Sequence, residues 1–300
     1  MREAFGAEFA KLELVEADLM DPGSIELAVS SCKYIVHTAS PVPAKGLPKD
    51  ENVLIRPAVE GTMAVLRAAH KHRVKRVVIT SSLSAVLMKN PQNIKDRYDE
   101  SDWSDLEACS AYDKSKTMAE RAAWEFLSTI PEDERFELVA INPVFILGPS
   151  LVPADTSTQA IKYLMQGKFP FVPKVIIVVV DIRECALAHL RALTAPEANG
   201  KRFIIGDQGL WIREVAQILK EEFPNYSIKS KEISYCPIKL ASIFSSEVKL
   251  LIPMWRRVLQ IDNRQSREIL GIEYRDHRET LRAMGESLIK FGAVPDKRNQ

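Results

Sequence analysis

Short apolar runs rich in β-branched residues alternate with longer segments of helical period through the first half of the chain. The runs predict strands at LELVEA (12–17), YIVHT (34–38), RVVITS (76–81) and FELVAIN (136–142). The longer segments predict helices over residues 22–31, 50–71 and 110–127, the first with Asp21 as N-cap and Pro22 at its first position. Strands alternating with helices in this way indicate parallel βαβ units, so we expect an α/β fold with a doubly wound, Rossmann-like parallel sheet.

The pattern loosens after Pro149, where prolines become more frequent. The run VIIVVV (175–180) is typical of a buried strand, and both it and RFII (202–205) could return to the sheet. Further helices are predicted over 210–223 and 278–291. We therefore expect residues 1–150, with returning segments near 174–206, to form the sheet domain. Residues 151–300 should form mainly a smaller lobe over the carboxyl edge of the sheet.

Composition limits the classes of partner. The 300 residues are 46% hydrophobic and 27% charged, with a formal net charge of +1, so neither nucleic acid nor an anionic membrane is an expected partner. No apolar run reaches the ~20 residues that a membrane span needs. The four cysteines have no CxxC spacing, so we expect free thiols in the cytoplasm and no metal site.

Small, polar or turn-forming residues follow each predicted strand of the first half. They are Asp18 and Leu19, then Thr38, Ala39 and Ser40, then Ser81 and Ser82, and finally Pro143, Val144, Phe145 and Ile146. Turn formation alone could explain any one of these groups. Because ligands of open parallel sheets bind outside the carboxyl ends of the strands, four such groups together predict a crevice for an extended ligand.

Tyr112 and Lys116 lie four residues apart on a predicted helix and therefore share one face. A neighbouring ammonium group favours the phenolate and should lower the pKa of Tyr112. With the Ser82 hydroxyl nearby, the three side chains could move a proton on or off a carbonyl oxygen. On its own, the spacing is equally typical of a surface pair. Glu120 could pair with Lys116 or be solvated, and His37 is interpreted as a packed residue at a strand end.

Several motifs in order along the chain carry a more specific resemblance. They are ADLMD (17–21), VHTASPV (36–42), PAVEGTMAVLRAA (57–69), RVVITSS (76–82), YDKSKTMAERAAW (112–124), NPVFILGP (142–149) and VDIRECALAHL (180–190). The set resembles the extended short-chain dehydrogenases/reductases, nearest to the dihydroflavonol reductase-like branch with the cinnamoyl-CoA reductases.

The resemblance implies an NAD(P)H-dependent reductase of a small organic ketone or aldehyde, with NADP preferred and NAD possible, acting as a monomer or homodimer. Tyr112 would be the acid, Lys116 would bind the nicotinamide ribose, and Ser82 would bind the substrate carbonyl. Asp18 and Leu19 would contact the adenine, Thr38, Ala39 and Ser40 would line the dinucleotide path, and residues 143–146 would lie beside the nicotinamide. The second half would supply the substrate lobe.

The chain departs from this family in one respect: no GxxGxxG turn links a strand to a helix. LELVEA corresponds to the family's third strand. We therefore expect the sheet domain to be incomplete at its N-terminal side, without the turn that grips the pyrophosphate. Two alternatives stay open. The chain could be a catalytically inactive binding protein, or it could be a nucleotide-sugar epimerase or dehydratase that uses the same Ser, Tyr and Lys.

Overall fold

The computed structural model describes residues 5–42, 48–151, 156–245, 248 and 251–298. The strands are β1 (Tyr34–His37), β2 (Arg76–Thr80), β3 (Arg97–Tyr98), β4 (Glu137–Pro143), β5 (Phe145–Leu147), β6 (Ile176–Asp181), β7 (Arg202–Ile205), β8 (Gly209–Trp211) and β9 (Gln260–Ile261). The helices are α1 (Pro22–Val29), α2 (Asn52–Lys71), α3 (Ser84–Leu87), α4 (Ala111–Thr129), α5 (Thr156–Met165), α6 (Ile182–Thr194), α7 (Ile212–Glu222), α8 (Tyr235–Ala241), α9 (Arg264–Glu268) and α10 (His277–Lys290). Within these ranges, no helix combines the length and the hydropathy of a membrane span.

The main sheet is parallel and has the strand order β1-β2-β4-β7. Val77 lies beside Ile35 on one side and beside Leu138 on the other, and Ile141 lies beside Phe203. All four carboxyl ends therefore meet at one edge, as the alternation of strands and helices predicted. The α/β fold with a doubly wound parallel sheet is confirmed.

Successive residues of the central strands face opposite layers of helices. Val77 and Ile79 pack in one core with side chains of α2 and α4. Val78 packs in the other core with Ala188 and Ala192 of α6. Since both faces are covered, β2 and β4 are buried along almost their whole length, and their central residues are apolar.

The two later apolar runs form strands of different sheets. Arg202–Ile205 (β7) joins the main sheet beside β4, as expected. The expectation that VIIVVV also returns to that sheet is wrong. Ile176–Asp181 (β6) pairs with β5 and β8 in a separate three-stranded sheet, because β5 leads the chain away from β4 directly after Pro143. The predicted domain division at residue 150 stays a prediction.

The segment LELVEA is not a strand, which corrects the first predicted element. Leu12, Leu14 and Val15 are exposed, and the segment has no sheet partner among the described residues. Its apolar side chains fit a strand pattern, but a strand forms only where a neighbour accepts its backbone hydrogen bonds. Within the described ranges, β1 pairs with β2 alone, and its Val36 side chain is exposed.

Helix α4 begins at a reciprocal cap. The Ser110 hydroxyl accepts from the backbone N–H of Asp113, and the Asp113 carboxylate accepts from the backbone N–H of Ser110 at 3.0 Å. This capping box satisfies two backbone donors at the end of the helix that carries Tyr112 and Lys116. The start of that helix, and thus the position of Tyr112 in its first turn, is determined locally.

We expect Ser110→Ala to lower the free energy of unfolding by about 1 kcal/mol, because it removes the cap of α4. Ser128→Ala is the matched control near the other end of the helix. The Ser128 hydroxyl is exposed and donates to the Glu125 carbonyl of its own helix, so we expect a change of less than about 0.5 kcal/mol. Urea unfolding of the three proteins measures both values, and equal effects would contradict the capping role.

Candidate active site

The predicted Ser, Tyr and Lys side chains come together at the carboxyl ends of β2 and β4. Lys116 is buried in α4, and its Nζ donates to the Thr80 carbonyl oxygen at 3.1 Å. Tyr112, one turn earlier, is close enough to the Ser82 hydroxyl for that group to oppose the rise in the phenol's pKa. The turn after β2 is tied to the end of β4, because the Leu83 N–H donates to the Pro143 carbonyl at 2.9 Å.

Burial controls the protonation of the two helix residues. It lowers the pKa of the Lys116 ammonium to about 8, against an opposing effect of the Glu120 carboxylate. The pKa of Tyr112 is raised by burial, with a smaller contribution from Asp113, while Ser82 acts in the opposite direction. The sequence-based expectation that Lys116 lowers the pKa of Tyr112 is therefore not met in this structure, where the ammonium group is directed at Thr80.

A small cleft beside Lys116 lies between β1, α2, β2 and α4. Its lining is His37, Ala39, Ser40, Thr62, Ile79, Thr80, Ser81, Lys116, Ala119 and Glu120. Two of the residues predicted along the dinucleotide path, Ala39 and Ser40, are thus beside Lys116. Thr38 is exposed and is not part of this lining.

The predicted adenine contacts lie elsewhere on the protein. The Asp18 carboxylate is exposed and accepts from the backbone N–H of Met20 at 2.7 Å. Leu19 packs on Gly61 of α2, where an added Cβ would lie 2.9 Å from the leucine side chain. Neither residue lines the cleft. Their role toward an adenine ring stays a prediction.

The residues predicted beside a nicotinamide divide between packing and exposure. Pro143 and Val144 are buried at the end of β4, and Val144 N donates to the Ile205 carbonyl at 3.1 Å. Phe145 and Ile146 are half-buried in β5 and pack on two different cores. They follow directly after Pro143, whose carbonyl accepts from the Leu83 N–H, but their role also stays a prediction.

The environment of Glu120 differs from both alternatives that the sequence left open. Its carboxylate is 1% exposed and is paired with Arg202 of β7 at 2.6 Å, and is neither solvated nor hydrogen-bonded to Lys116. Its position four residues after Lys116 placed it on the inward face of the helix. The partner could not be inferred, because Arg202 is far away in the sequence.

Two polar groups in the cleft beside Lys116 fit part of a dinucleotide. Lys116 and Ser40 both line this cleft, and an ammonium group and a hydroxyl suit the hydroxyls of a ribose. A pyrophosphate needs a turn of backbone N–H groups at a helix N-terminus. The sequence contains no glycine-rich turn of that kind. The cleft therefore presents two donors that suit sugar hydroxyls, whereas no glycine-rich turn for the phosphates is found in the sequence.

His37 provides a test of the burial of this cleft. Burial and the Lys116 charge lower its pKa to about 4, and its Nε2 lies 3.4 Å from the Thr62 hydroxyl. Because the unfolded chain binds this proton below a pKa of ~6.5, stability should be lost as pH falls from about 6.5 to about 4. His37→Gln should reduce the loss of unfolding free energy between about pH 7.5 and about pH 5 by about 2 kcal/mol. Urea unfolding at both pH values measures it, and an unchanged loss would contradict a buried, neutral His37.

Comparisons with known proteins agree with the fold and the motifs. The model of the 3-beta hydroxysteroid dehydrogenase/isomerase family matches residues 3–215. Cinnamoyl-CoA reductase 1 of Arabidopsis thaliana is 37% identical over 237 residues, which cover 77% of this chain and 65% of the relative. Cinnamoyl-CoA reductase 1 of Petunia hybrida is 32% identical over a match that covers 98% of this chain and 82% of the relative.

A solved structure supports the same assignment. The yeast methylglyoxal/isovaleraldehyde reductase complexed with NADPH superposes with a TM-score of 0.78 at 29% identity, covering 98% of this chain and 88% of that chain. The resemblance predicted from the motifs is thereby confirmed. The chain belongs to the 3-beta hydroxysteroid dehydrogenase/isomerase family, and within it to the dihydroflavonol reductase-like branch that contains the cinnamoyl-CoA reductases.

Proposed function

We propose that this protein is an NADPH-dependent reductase of an aldehyde or ketone group on a small organic molecule. The observation that carries the proposal is the convergence of Ser82, Tyr112 and Lys116 at one sheet edge in a chain related to named reductases. The preference for NADPH is inferred from the yeast relative, whose structure contains that cofactor.

Each of the three side chains has a distinct role in the proposed reaction. The Ser82 hydroxyl donates to the substrate carbonyl oxygen and holds it next to the Tyr112 phenol. Bound NADPH supplies the hydride that adds to the carbonyl carbon. The Tyr112 hydroxyl gives its proton to the carbonyl oxygen as negative charge develops there, so that the product is an alcohol.

Lys116 binds the ribose hydroxyls of the cofactor through its ammonium group. Its position in the cleft beside Ser40 supports this role. An ammonium group bound to the ribose would place a positive charge near the Tyr112 phenol, and such a charge favours loss of the phenol proton. The raised pKa of Tyr112 suits a proton donor, because the phenol stays protonated until the substrate oxygen becomes basic.

The test follows NADPH oxidation with a panel of aromatic and aliphatic aldehydes and ketones. Tyr112→Phe and Lys116→Met should each lower kcat/KM at least about a hundredfold, because each removes a group that acts on the transferred proton or on the cofactor. Lys114→Met is the matched control on the same helix. Lys114 forms a surface pair with Glu51 at 2.7 Å, so its loss should leave the rate within about twofold of wild type.

Cofactor binding separates the proposed enzyme from the alternative of an inactive binding protein. At about 100 times the dissociation constant, NADPH should stabilise the wild-type protein by about 2.7 kcal/mol. The Lys116→Met variant should be stabilised less. Absence of both stabilisation and turnover in the wild-type protein would contradict the proposed function.

A further inference from the structure

The buried carboxylate of Glu120 accepts hydrogen bonds from four different side chains. Ser81 Oγ donates at 2.5 Å and Asn142 Nδ2 at 2.8 Å, both to Oε2. Trp124 Nε1 donates at 3.2 Å and Arg202 Nε at 2.6 Å, both to Oε1. A carboxylate accepts about four hydrogen bonds, so the acceptor capacity of Glu120 is filled by groups from α4, β4, β7 and the turn after β2.

These donors connect the two halves of the candidate active site. Glu120 lies on the same face of α4 as Tyr112 and Lys116, since the three residues are spaced by four. On the other side, Ser81 is the neighbour of Ser82, and Asn142 Nδ2 also donates to the Ser82 carbonyl oxygen at 3.2 Å. One carboxylate thus links the helix that carries the phenol to the turn that carries the serine hydroxyl.

Arg202 is itself held in one orientation. Its Nη1 donates to the carbonyl oxygens of Glu100 at 2.8 Å and Asp102 at 2.6 Å. The guanidinium also stacks on the Trp103 ring, 3.7 Å from its centroid. A buried charge is tolerated only when it is paired and its hydrogen-bonding groups are satisfied. Arg202 pairs with the Glu120 carboxylate and, with the three neutral donors, satisfies its oxygens.

We propose that Glu120, braced by Arg202, is a positioning residue that fixes the turn carrying Ser82 against the helix carrying Tyr112 and Lys116. Its carboxylate oxygens are occupied by protein donors, so it acts through Ser82, Tyr112 and Lys116. The proposal rests on the proposed function only for its kinetic consequence. The effect of Glu120 on Lys116 can be tested without turnover.

Glu120 also contributes charge to the Lys116 site. The groups that face Lys116 or its hydrogen-bond partner are His37 from β1, Tyr112 and Glu120 from α4, and His189 from α6, whose Nε2 lies 2.8 Å from the Thr80 hydroxyl. Arg202 from β7 lies beyond Glu120. The pKa of both histidines is lowered by burial, so they are neutral near pH 7. Glu120 is therefore the anionic neighbour that opposes loss of the Lys116 proton.

The first experiment is an NMR titration of protein labelled with ¹³C at lysine Cε. The Lys116 resonance is assigned by its loss in Lys116→Met. In Glu120→Gln, the midpoint of the Lys116 titration should fall by about half a pH unit or more, because the anion is removed while Arg202 stays positive. The double variant Glu120→Gln with Arg202→Met leaves no unpaired buried charge. It should show a smaller fall in the same direction.

The control is a second buried arginine, which also binds one carboxylate and two backbone carbonyl oxygens. Arg76 donates to Glu137 at 2.5 Å and to the carbonyl oxygens of Ala192 and Ala195, at the amino ends of the strands. Glu137→Gln should lower stability and leave the Lys116 midpoint unchanged. A Lys116 midpoint that is equal in wild type, Glu120→Gln and Glu137→Gln would overturn the proposal.

The kinetic experiment uses the pH dependence of kcat in the active wild-type protein. Loss of the Lys116 proton ends activity at high pH, so in Glu120→Gln the alkaline limb should move to lower pH and kcat should fall about tenfold or more. Glu120→Asp keeps the charge but shortens the side chain, so it should lower kcat and leave the limb close to wild type. An unshifted limb with normal kcat in Glu120→Gln would contradict the positioning role. A wild-type protein without turnover would instead contradict the proposed function, while the NMR titration would still decide the role of Glu120.

Discussion

The structure at the carboxyl edge of the sheet depends on a single buried anion. Glu120 is almost fully buried, so its charge needs the surrounding Arg202 and three neutral donors. Because those donors come from separate elements, each element is restrained toward the same point. The pair of Glu120 and Arg202 contacts three parts of the site. These are the cleft beside Lys116, the turn at Ser82 and the loop at Glu100.

Most of the fold follows from the local sequence pattern. The predictions that were wrong concern pairing between distant segments. The run RVVITS and the helix after Ser110 formed as predicted, because an apolar period and a capping box are visible within a few residues. LELVEA has the same apolar character, but it lacks a neighbour that could accept its hydrogen bonds. VIIVVV is a strand, yet nothing in its own sequence indicates that its partners are β5 and β8 rather than the main sheet.

The candidate site shows the same division between local and distant information. Helical spacing places Tyr112, Lys116 and Glu120 on one face, and the strand ends indicate where Ser82 lies. The partner of Glu120 is Arg202 of β7, and the partner of Lys116 is the Thr80 carbonyl of β2. Neither contact leaves a pattern in the sequence, so the protonation of the site could be argued only from the folded chain.

Deuterium transfer from labelled NADPH shows whether the site of Ser82, Tyr112 and Lys116 reduces a carbonyl group. NADPH with deuterium at both C4 positions is incubated with the wild-type protein and an aldehyde that it reduces, and the alcohol is analysed by mass spectrometry and NMR. We expect one deuterium on the former carbonyl carbon, and Tyr112→Phe should form the same labelled alcohol at least about a hundredfold more slowly. An alcohol without deuterium on that carbon, or an equal rate of labelled alcohol formation by both proteins, would contradict carbonyl reduction by the Ser82, Tyr112 and Lys116 site.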